Sequence, residues 1–536
     1  MPDVFHLYDT MQRGERPLVA ADPSRVTFYT CGPTVYDDAH IGNFRAFLVA
    51  DLLRRWLESP LCTLATEGGE HHRGPRTVDH RMNITDVGHM TEDEAADGGG
   101  EDKMALASRR LAEAKKSGTL PPGTEDVDPS DPHAVADFFR RRFIEDASKL
   151  GIRVAREAGQ APDRMPRATD HIGDMIELVR ALEDRGFAYV RGEPGERVVY
   201  FDVQKFERYG ALSGNDLDQL RGGAGGRVTD KAQAQKNHPA DFMLWKEDPR
   251  HIMRWESPWG AGYPGWHIEC SAMSLAALLP GGLEAIAKGN AAIERAIDLH
   301  SGGEDNIFPH HECEIAQSCA FTGAERFARH WVHVRFLMVN GEKMSKSRGT
   351  FFAPRDLMHR GHDPAAVRFE LIKTHYRVNA DFSLEELRAS SQQVERWRRF
   401  LRAADASSEE GDRSTEAADR FTACLAGDLN VAGAIGEVNR WIGATRSPTR
   451  ADAALMREFD AVLGLLELER LESRETTIGV FKGVKPDPEV ERLLAERAEA
   501  RKAKDFARAD AIRDDLSARG LAIKDAPGGK VEVSPA

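Results

Sequence analysis

Hydrophobic patterning is clearest near the N-terminus, where residues 26–30 (Val-Thr-Phe-Tyr-Thr) form the short β-branched and aromatic run of a buried strand. The run ends at Cys31 and a turn at Gly32-Pro33. Beyond it Phe44, Phe47, Leu48, Leu52 and Trp56 recur at spacings of three and four, which predicts an amphipathic helix. His40-Ile41-Gly42-Asn43 opens that helix, so the order is strand, glycine-containing turn, helix. Unpaired N–H groups and the helix dipole favour an anion at such a start, and Gly42 lets a phosphate approach the backbone. An ordinary capping or packing role for His40 competes with that reading.

Further along, residues 81–86 (Arg-Met-Asn-Ile-Thr-Asp) have the pattern of the end of a second strand, polar where a parallel sheet meets its ligand. Residues 91–102 are acidic and glycine-rich, an expected surface loop, and 121–132 form a second acidic, proline-containing loop. Helical periodicity covers 134–150 and 172–185. Residues 198–203 are strand-like and, with those helices, predict an inserted α/β subdomain. A strand at 241–246 is expected to return the chain to the first sheet. Helices dominate from Asp356 onward, and the polar stretches 404–419 and 472–489 are the expected linkers, the second isolating a small charged C-terminal module.

Length sharpens this picture: 536 residues exceed a single core and suggest three or four domains. The formal net charge of −14 removes any global basic field, although a local basic track for nucleic acid remains compatible with it. No apolar run approaches the roughly 18 residues of a membrane span, and no signal-peptide core opens the chain, so a soluble, cytoplasmic protein is expected. Cys31, Cys62, Cys270, Cys313, Cys319 and Cys424 share no repeated spacing, which favours free thiols or metal ligands over a disulfide framework.

Two stretches carry candidate chemistry. Gly265-Trp266-His267-Ile268-Glu269-Cys270 enters a helix, and Phe308-Pro309-His310-His311-Glu312-Cys313-Glu314 opens another, with proline at the helix start. His310 and Glu314, four apart, share a helix face and supply half of a metal site that Cys31 and Cys270 would complete. His311 with Glu314, three apart, and Cys313 are rival ligands, and a surface helix pair beside buried thiols is the plain alternative. The other stretch, 340–349, places Lys343, Lys346 and Arg348 between glycines. Its cations suit a polyphosphate whose charge grows as pyrophosphate leaves, against the plainer reading of a solvated basic turn.

His40-Ile41-Gly42-Asn43 resembles the first signature of class I aminoacyl-tRNA synthetases, and Lys343-Met344-Ser345-Lys346-Ser347 matches their second. The blocks Thr30-Cys31-Gly32-Pro33-Thr34-Val35-Tyr36-Asp37, Asn83-Ile84-Thr85-Asp86, 265–273 and 308–318 are similar to those of cysteinyl-tRNA synthetases, and the resemblance runs from the first residues to the C-terminal module. It implies an α/β fold: a Rossmann-type parallel-sheet catalytic domain (1–130 and 238–342) split by an α/β connective insertion (131–237). A mainly helical stem-contact region with the mobile signature loop (343–404), a helical bundle (405–485) and an anticodon-binding domain (486–536) would follow.

The resemblance also implies one Zn2+ held by Cys31, Cys270, His310 and Glu314, and a cysteine pocket of Thr85, Trp266 and His300. ATP contacts would come from His40, Gly42, Asn43, Gly303, Asp305 and Lys346, with Lys343 and Lys346 on the phosphates. Anticodon contacts would fall to Arg501, Phe506, Asp510 and Asp525. Implied partners are Mg2+ with ATP, L-cysteine and cysteine-specific tRNA, with the protein a monomer. Asn43 replaces the histidine of the generic first signature, and Phe506 stands where many relatives carry tryptophan. Two alternatives are a cysteine:amino-sugar ligase of the mycothiol-pathway type, whose relatives lack the C-terminal module, and a non-catalytic RNA-binding relative, which intact signatures argue against. The run Arg396-Trp397-Arg398-Arg399-Phe400-Leu401-Arg402 is either a basic stripe for tRNA or a solvated helix face over buried aromatics.

Overall fold

The computed structural model describes residues 3–88, 90–92, 99–117, 124, 127–217, 235–287, 296–344, 350–468, 474–475, 478–482, 484, 487–502, 505–526 and 530–535. Lys346 and part of the 121–132 stretch lie outside them.

The first strand, Arg25–Thr30, buries Val26, Phe28 and Tyr29 completely. It lies inside a four-stranded parallel sheet in the order Ala328–Val334, Ile297–Gly303, Arg25–Thr30, Thr77–Met82. Within this sheet Thr77–Met82 sits on one side of Arg25–Thr30, and the two later strands on the other. Strand order therefore reverses between Arg25–Thr30 and Ile297–Gly303, and the crevice outside their carboxyl ends is where such sheets bind ligands. Cys31 and the Gly302-Gly303 pair both stand at that edge.

Helix Ile41–Glu58 follows as expected, with Phe44, Phe47, Leu48, Leu52 and Trp56 all buried. His40 is its N-cap. The Asn43 N–H donates to His40 Nδ1 (3.1 Å) while the His40 N–H donates to Asn43 Oδ1 (3.1 Å), a reciprocal capping box. Asn43 thus helps fix the backbone of His40. The helix also buries Arg45, Asp51 and Arg55, which its periodicity did not announce. The Arg45 guanidinium donates to the carbonyls of Arg335, Phe336, Thr374, His375 and Val378, tying this helix to two later loops.

Four expectations are corrected. The strand near 241–246, observed as Phe242–Glu247, does not rejoin the first sheet but pairs antiparallel with Val198–Phe201 and Gly262–Pro264, in a sheet completed by Ala188–Arg191. Aromatic packing selects that partner, since the Phe201 and Phe242 rings stack at 4.9 Å. The chain returns to the parallel sheet at Ile297–Gly303. Residues 91–102 are not simply a loop: Met90–Glu92 pairs with Gly99–Asp102, and the Asp102 carboxylate accepts the Ala105 N–H (2.8 Å) at the start of helix Lys103–Ser117. Its other oxygen stands 3.1 Å from His251 Nε2.

The proline of Phe308-Pro309 does not open a regular helix. Phe308 is extended, the Phe308–Pro309 peptide is cis, and the α-helix proper is Glu312–Thr322. Finally, the stretch 472–489 is more than a linker, because Arg474–Glu475 and Gly479–Phe481 join the C-terminal sheet through Val531–Pro535, with Phe481 in that module's core. In helix Leu384–Asp405 Trp397 and Phe400 are buried, while the largely buried Arg398 pairs with Asp363 and the exposed Arg402 with Glu395. Among the described residues no helix is long and apolar enough to cross a membrane.

Candidate active site

At the carboxyl edge of the parallel sheet, Cys31 meets Cys270 from helix Trp266–Leu278, and His310 and Glu314 from the turn and helix beyond Phe308. All four are buried, and one ligand atom from each lies within 4.8 Å of the others. Cys31 Sγ is 3.7 Å from Cys270 Sγ and 3.4 Å from Glu314 Oε1, and His310 Nε2 is 3.1 Å from the same carboxylate oxygen. Two thiolates on one tetrahedral ion with metal–sulfur bonds of about 2.3 Å would be about 3.8 Å apart, so the pair is spaced for a shared cation.

Charge within this cavity is finely opposed. Burial works against protonating His310, but Cys270 and Glu314 outweigh it and push its pKa up to about 10. Burial would raise Glu314, yet His300 and His310 hold it at about 2. Burial, then Cys270 and Glu314, pushes the Cys31 thiol well up, whereas its hydrogen bond to Cys270 lowers the latter against burial. A divalent cation would replace the protons that now keep these anions together, and two thiols, an imidazole and a carboxylate are an accepted donor set for one.

His311 supplies a second arrangement, Cys31 with His300, His311 and Glu314. His311 Nε2 is 3.3 Å from Cys31 Sγ but 3.8 Å from Glu314 Oε1. Burial keeps His311 well below its ordinary pKa and takes His333 down to about 3, and their ring nitrogens are 2.7 Å apart, with His333 Nδ1 2.8 Å from Thr10 Oγ1. Cys313, the other rival, faces away from the cluster to Tyr209, whose hydroxyl lies 3.5 Å from its sulfur.

The remaining expected residues surround this centre to different degrees. His300 Nε2 stands 3.0 Å from Glu314 Oε2 and stacks on Trp331, and the Trp266 ring lies 4.6 Å from that of His310. Thr85 is buried, bridges to Thr34 just beyond Cys31, and accepts from Asn83 Nδ2 at 3.0 Å. Gly302 passes so close to His311 that a Cβ there would stand 2.8 Å from its ring. Gly303 donates its N–H to Asn306 Oδ1 (2.9 Å) ahead of exposed Asp305. The two signatures adjoin at Gly42, where a Cβ would lie 2.5 Å from Met344 Cε. Lys343 is exposed on the short strand Glu342–Lys343. In the C-terminal module Phe506 is 62% exposed, Asp510 pairs with Arg513, and Asp525 pairs with Arg497 and Arg501, which hold its carboxyl at about 2.

Comparison with known proteins gives this geometry a lineage. Residues 17–392 match the family described as tRNA synthetases class I (C) catalytic domain, and residues 486–531 match the cysteinyl-tRNA ligase anticodon binding domain. The chain is 37% identical to the cysteine–tRNA ligase of Salinibacter ruber, covering 98% of this chain and 97% of that one. It is 38% identical to that of Acidiphilium cryptum, covering 98% of each. The chain belongs to the cysteinyl-tRNA synthetase family. Its fold is similar to that of the Agrobacterium radiobacter K84 agnB2 LeuRS in a ternary LeuRS-tRNA-LeuAMS complex, with a TM-score of 0.51, 12% identity and 96% of both chains covered.

For a cysteinyl-tRNA synthetase two polar neighbours of the centre were not legible in the sequence: His267, whose Nδ1 is 3.0 Å from His310 Nδ1, and His333. The triplet spacing of His330 and His333 in a strand puts them on opposite faces, and only the observed sheet shows which one turns toward the cluster.

Proposed function

We propose that this protein joins L-cysteine to the 3′-terminal adenosine of cysteine-specific tRNA through a cysteinyl-adenylate made from Mg2+-bound ATP. The observation that carries this reading is the buried Cys31, Cys270, His310 and Glu314 cluster at the crevice beside the helix that His40 caps. The cysteine carboxylate attacks the α-phosphorus and pyrophosphate leaves. The terminal ribose hydroxyl then attacks the acyl carbon and AMP leaves. No side chain need act as a covalent nucleophile, so the protein contributes positioning and charge stabilisation.

His40, the adjoining N–H groups, Lys343 and Lys346 are assigned to the phosphates, and Gly303 and Asp305 to the ribose. Thr85, Trp266 and His300 border the substrate side chain, and His300 orients Glu314. Shape alone rejects an isostere such as serine by roughly 10²-fold, short of the 10⁴ to 10⁵ that translation requires. Zinc, held by Cys31, Cys270, His310 and Glu314, supplies when bound a Lewis-acid position that prefers sulfur to a hydroxyl oxygen. Discrimination therefore falls at activation.

Charging of cysteine-specific tRNA with labelled cysteine, run beside cysteine-dependent ATP–pyrophosphate exchange, tests the whole reading. Both activities are expected. Exchange without charging would redirect the acceptor to a small amine, and neither activity in zinc-replete protein would overturn the proposal. The amino-sugar ligase alternative is disfavoured by the matched anticodon-binding segment.

Phe506 gives a separable test of the C-terminal module. Its exposure means that Phe506→Ala should leave folding and exchange intact. Loss of one stacked base at about 1–3 kcal/mol should lower kcat/KM for tRNA by about fivefold to 150-fold. Unchanged kcat/KM would remove Phe506 from the anticodon contacts.

A further inference from the structure

We infer that Asp38 and Arg142, backed by the pair of Arg355 and Asp146, form an ionic brace that positions His40 toward the phosphates of ATP. The inference rests on the activation chemistry proposed above and adds residues that contact neither substrate nor metal.

Asp38 lies two residues before His40, in the segment that carries the chain from Cys31 to the helix. Arg142 holds it from helix Pro132–Lys149 by two parallel bonds, Nε to Oδ1 at 2.7 Å and Nη2 to Oδ2 at 2.6 Å. The planar guanidinium fixes both the position and the orientation of that carboxylate. One turn further along the same helix, Asp146 Oδ2 accepts from Arg355 Nε at 2.8 Å, and Arg355 Nη2 donates to the Arg142 carbonyl at 2.6 Å. Arg355 Nε is also 3.8 Å from Asp38 Oδ1.

Arg355 lies in the first turn of helix Pro354–His359, three residues after Phe352. Phe351 and Phe352 return to the signature helix: the Ile41 N–H donates to the Phe352 carbonyl (2.9 Å), and the Phe351 ring meets His40 edge-on at 5.5 Å. The contacts close into a ring running from His40 through Asp38, Arg142, Arg355 and Phe352 back to Ile41. His40 is thereby gripped from the residues before it and from those following the second signature, while its own cap sets the backbone.

The test is a double-mutant cycle in the full-length protein. Turnover of cysteine-dependent exchange is measured per active site, counted from the adenylate burst, so that a smaller folded fraction does not register as slower chemistry. D38N and R142Q should each lower kcat/KM for ATP at least tenfold, leave KM for cysteine within twofold, and leave the metal content unchanged. The double variant should lose no more than the worse single variant, because both remove the same contact. R142K, which keeps charge without the paired N–H geometry, should recover only part of the loss. Additive losses, an equal rise in KM for cysteine, or no loss would each overturn the brace. Failure of the wild type to catalyse exchange would instead defeat the functional reading beneath it.

Discussion

Cys270→Ser is expected to reduce bound metal from about one ion per chain to less than a tenth, and cysteine-over-serine discrimination to the roughly 10² of a shape-selective pocket. Cys270 is the one thiol of the cluster that its neighbours favour in the charged form, through the hydrogen bond from Cys31 and the proximity of His310. A serine hydroxyl in the same buried place stays protonated at neutral pH and is a weak, hard ligand. The remaining donors would then face one another across an uncompensated site. Metal analysis of purified protein and pyrophosphate exchange with cysteine and with serine read the two halves of the prediction. Undiminished discrimination in C270S would reject the metal as the discriminator.

The same assay decides between the two histidines. His310→Asn should release the metal and His311→Asn should retain most of it, since His310 is the closer to Glu314. The reverse outcome would assign the ion to the second arrangement, with His300 and His311.

Asp51→Ala is expected to destabilise the fold by about 3–5 kcal/mol, the effect of leaving a buried charge without its partner. Asp51 is essentially inaccessible. Its Oδ2 accepts from Arg55 Nε and from Arg368 Nη2, each at 2.7 Å, and its Oδ1 accepts the Arg153 N–H at 2.8 Å. Arg368 also donates to the carbonyls of Leu463 and Leu150, and Arg55 to that of Gly151. One carboxylate therefore bridges two buried guanidinium groups, Glu467 supplying Arg55 with a second partner at 2.7 Å, and joins the signature helix to the insertion and to the later helices.

Burial opposes ionisation of Asp51, but Arg55 and Arg368 outweigh it and hold its pKa below the ordinary carboxylate range. With the folded value depressed, this stabilisation is complete above the ordinary carboxylate value of about 4, falls progressively as acidification proceeds below it, and is gone below the folded value. Urea unfolding at neutral pH should show the deficit, and a variant within 1 kcal/mol of wild type would contradict it.

The signature helix was legible because its apolar stripe, its starting histidine and its glycine all obey local rules. The four candidate metal ligands were partly legible: spacing joined His310 to Glu314 and donor chemistry offered Cys31 and Cys270 to complete the set, whereas the choice over the rivals His311 and Cys313 came only through the resemblance. Pairing of Phe242–Glu247 escaped because alternation within a strand does not name its neighbour. Arg45, Arg55 and Arg368 escaped for a different reason. A charged residue on a helix is ordinarily solvated, and its burial depends on carbonyls and carboxylates supplied hundreds of residues away. Asn43 departed from the generic signature at the position where the helix start accepts any side chain able to bond back to the cap.

The upstream strands of the C-terminal sheet also set where this chain can be cut. Gly479–Phe481 covers one side of Val531–Pro535, and Leu521–Asp525 covers the other. A fragment starting at 486 would uncover the backbone of Val531–Val533 along that side and remove Phe481 from the apolar cluster it shares with Leu494 and Val533. An open edge beside an apolar hollow invites pairing between copies. An isolated tail should stay dispersed only when its excision point lies ahead of Arg474.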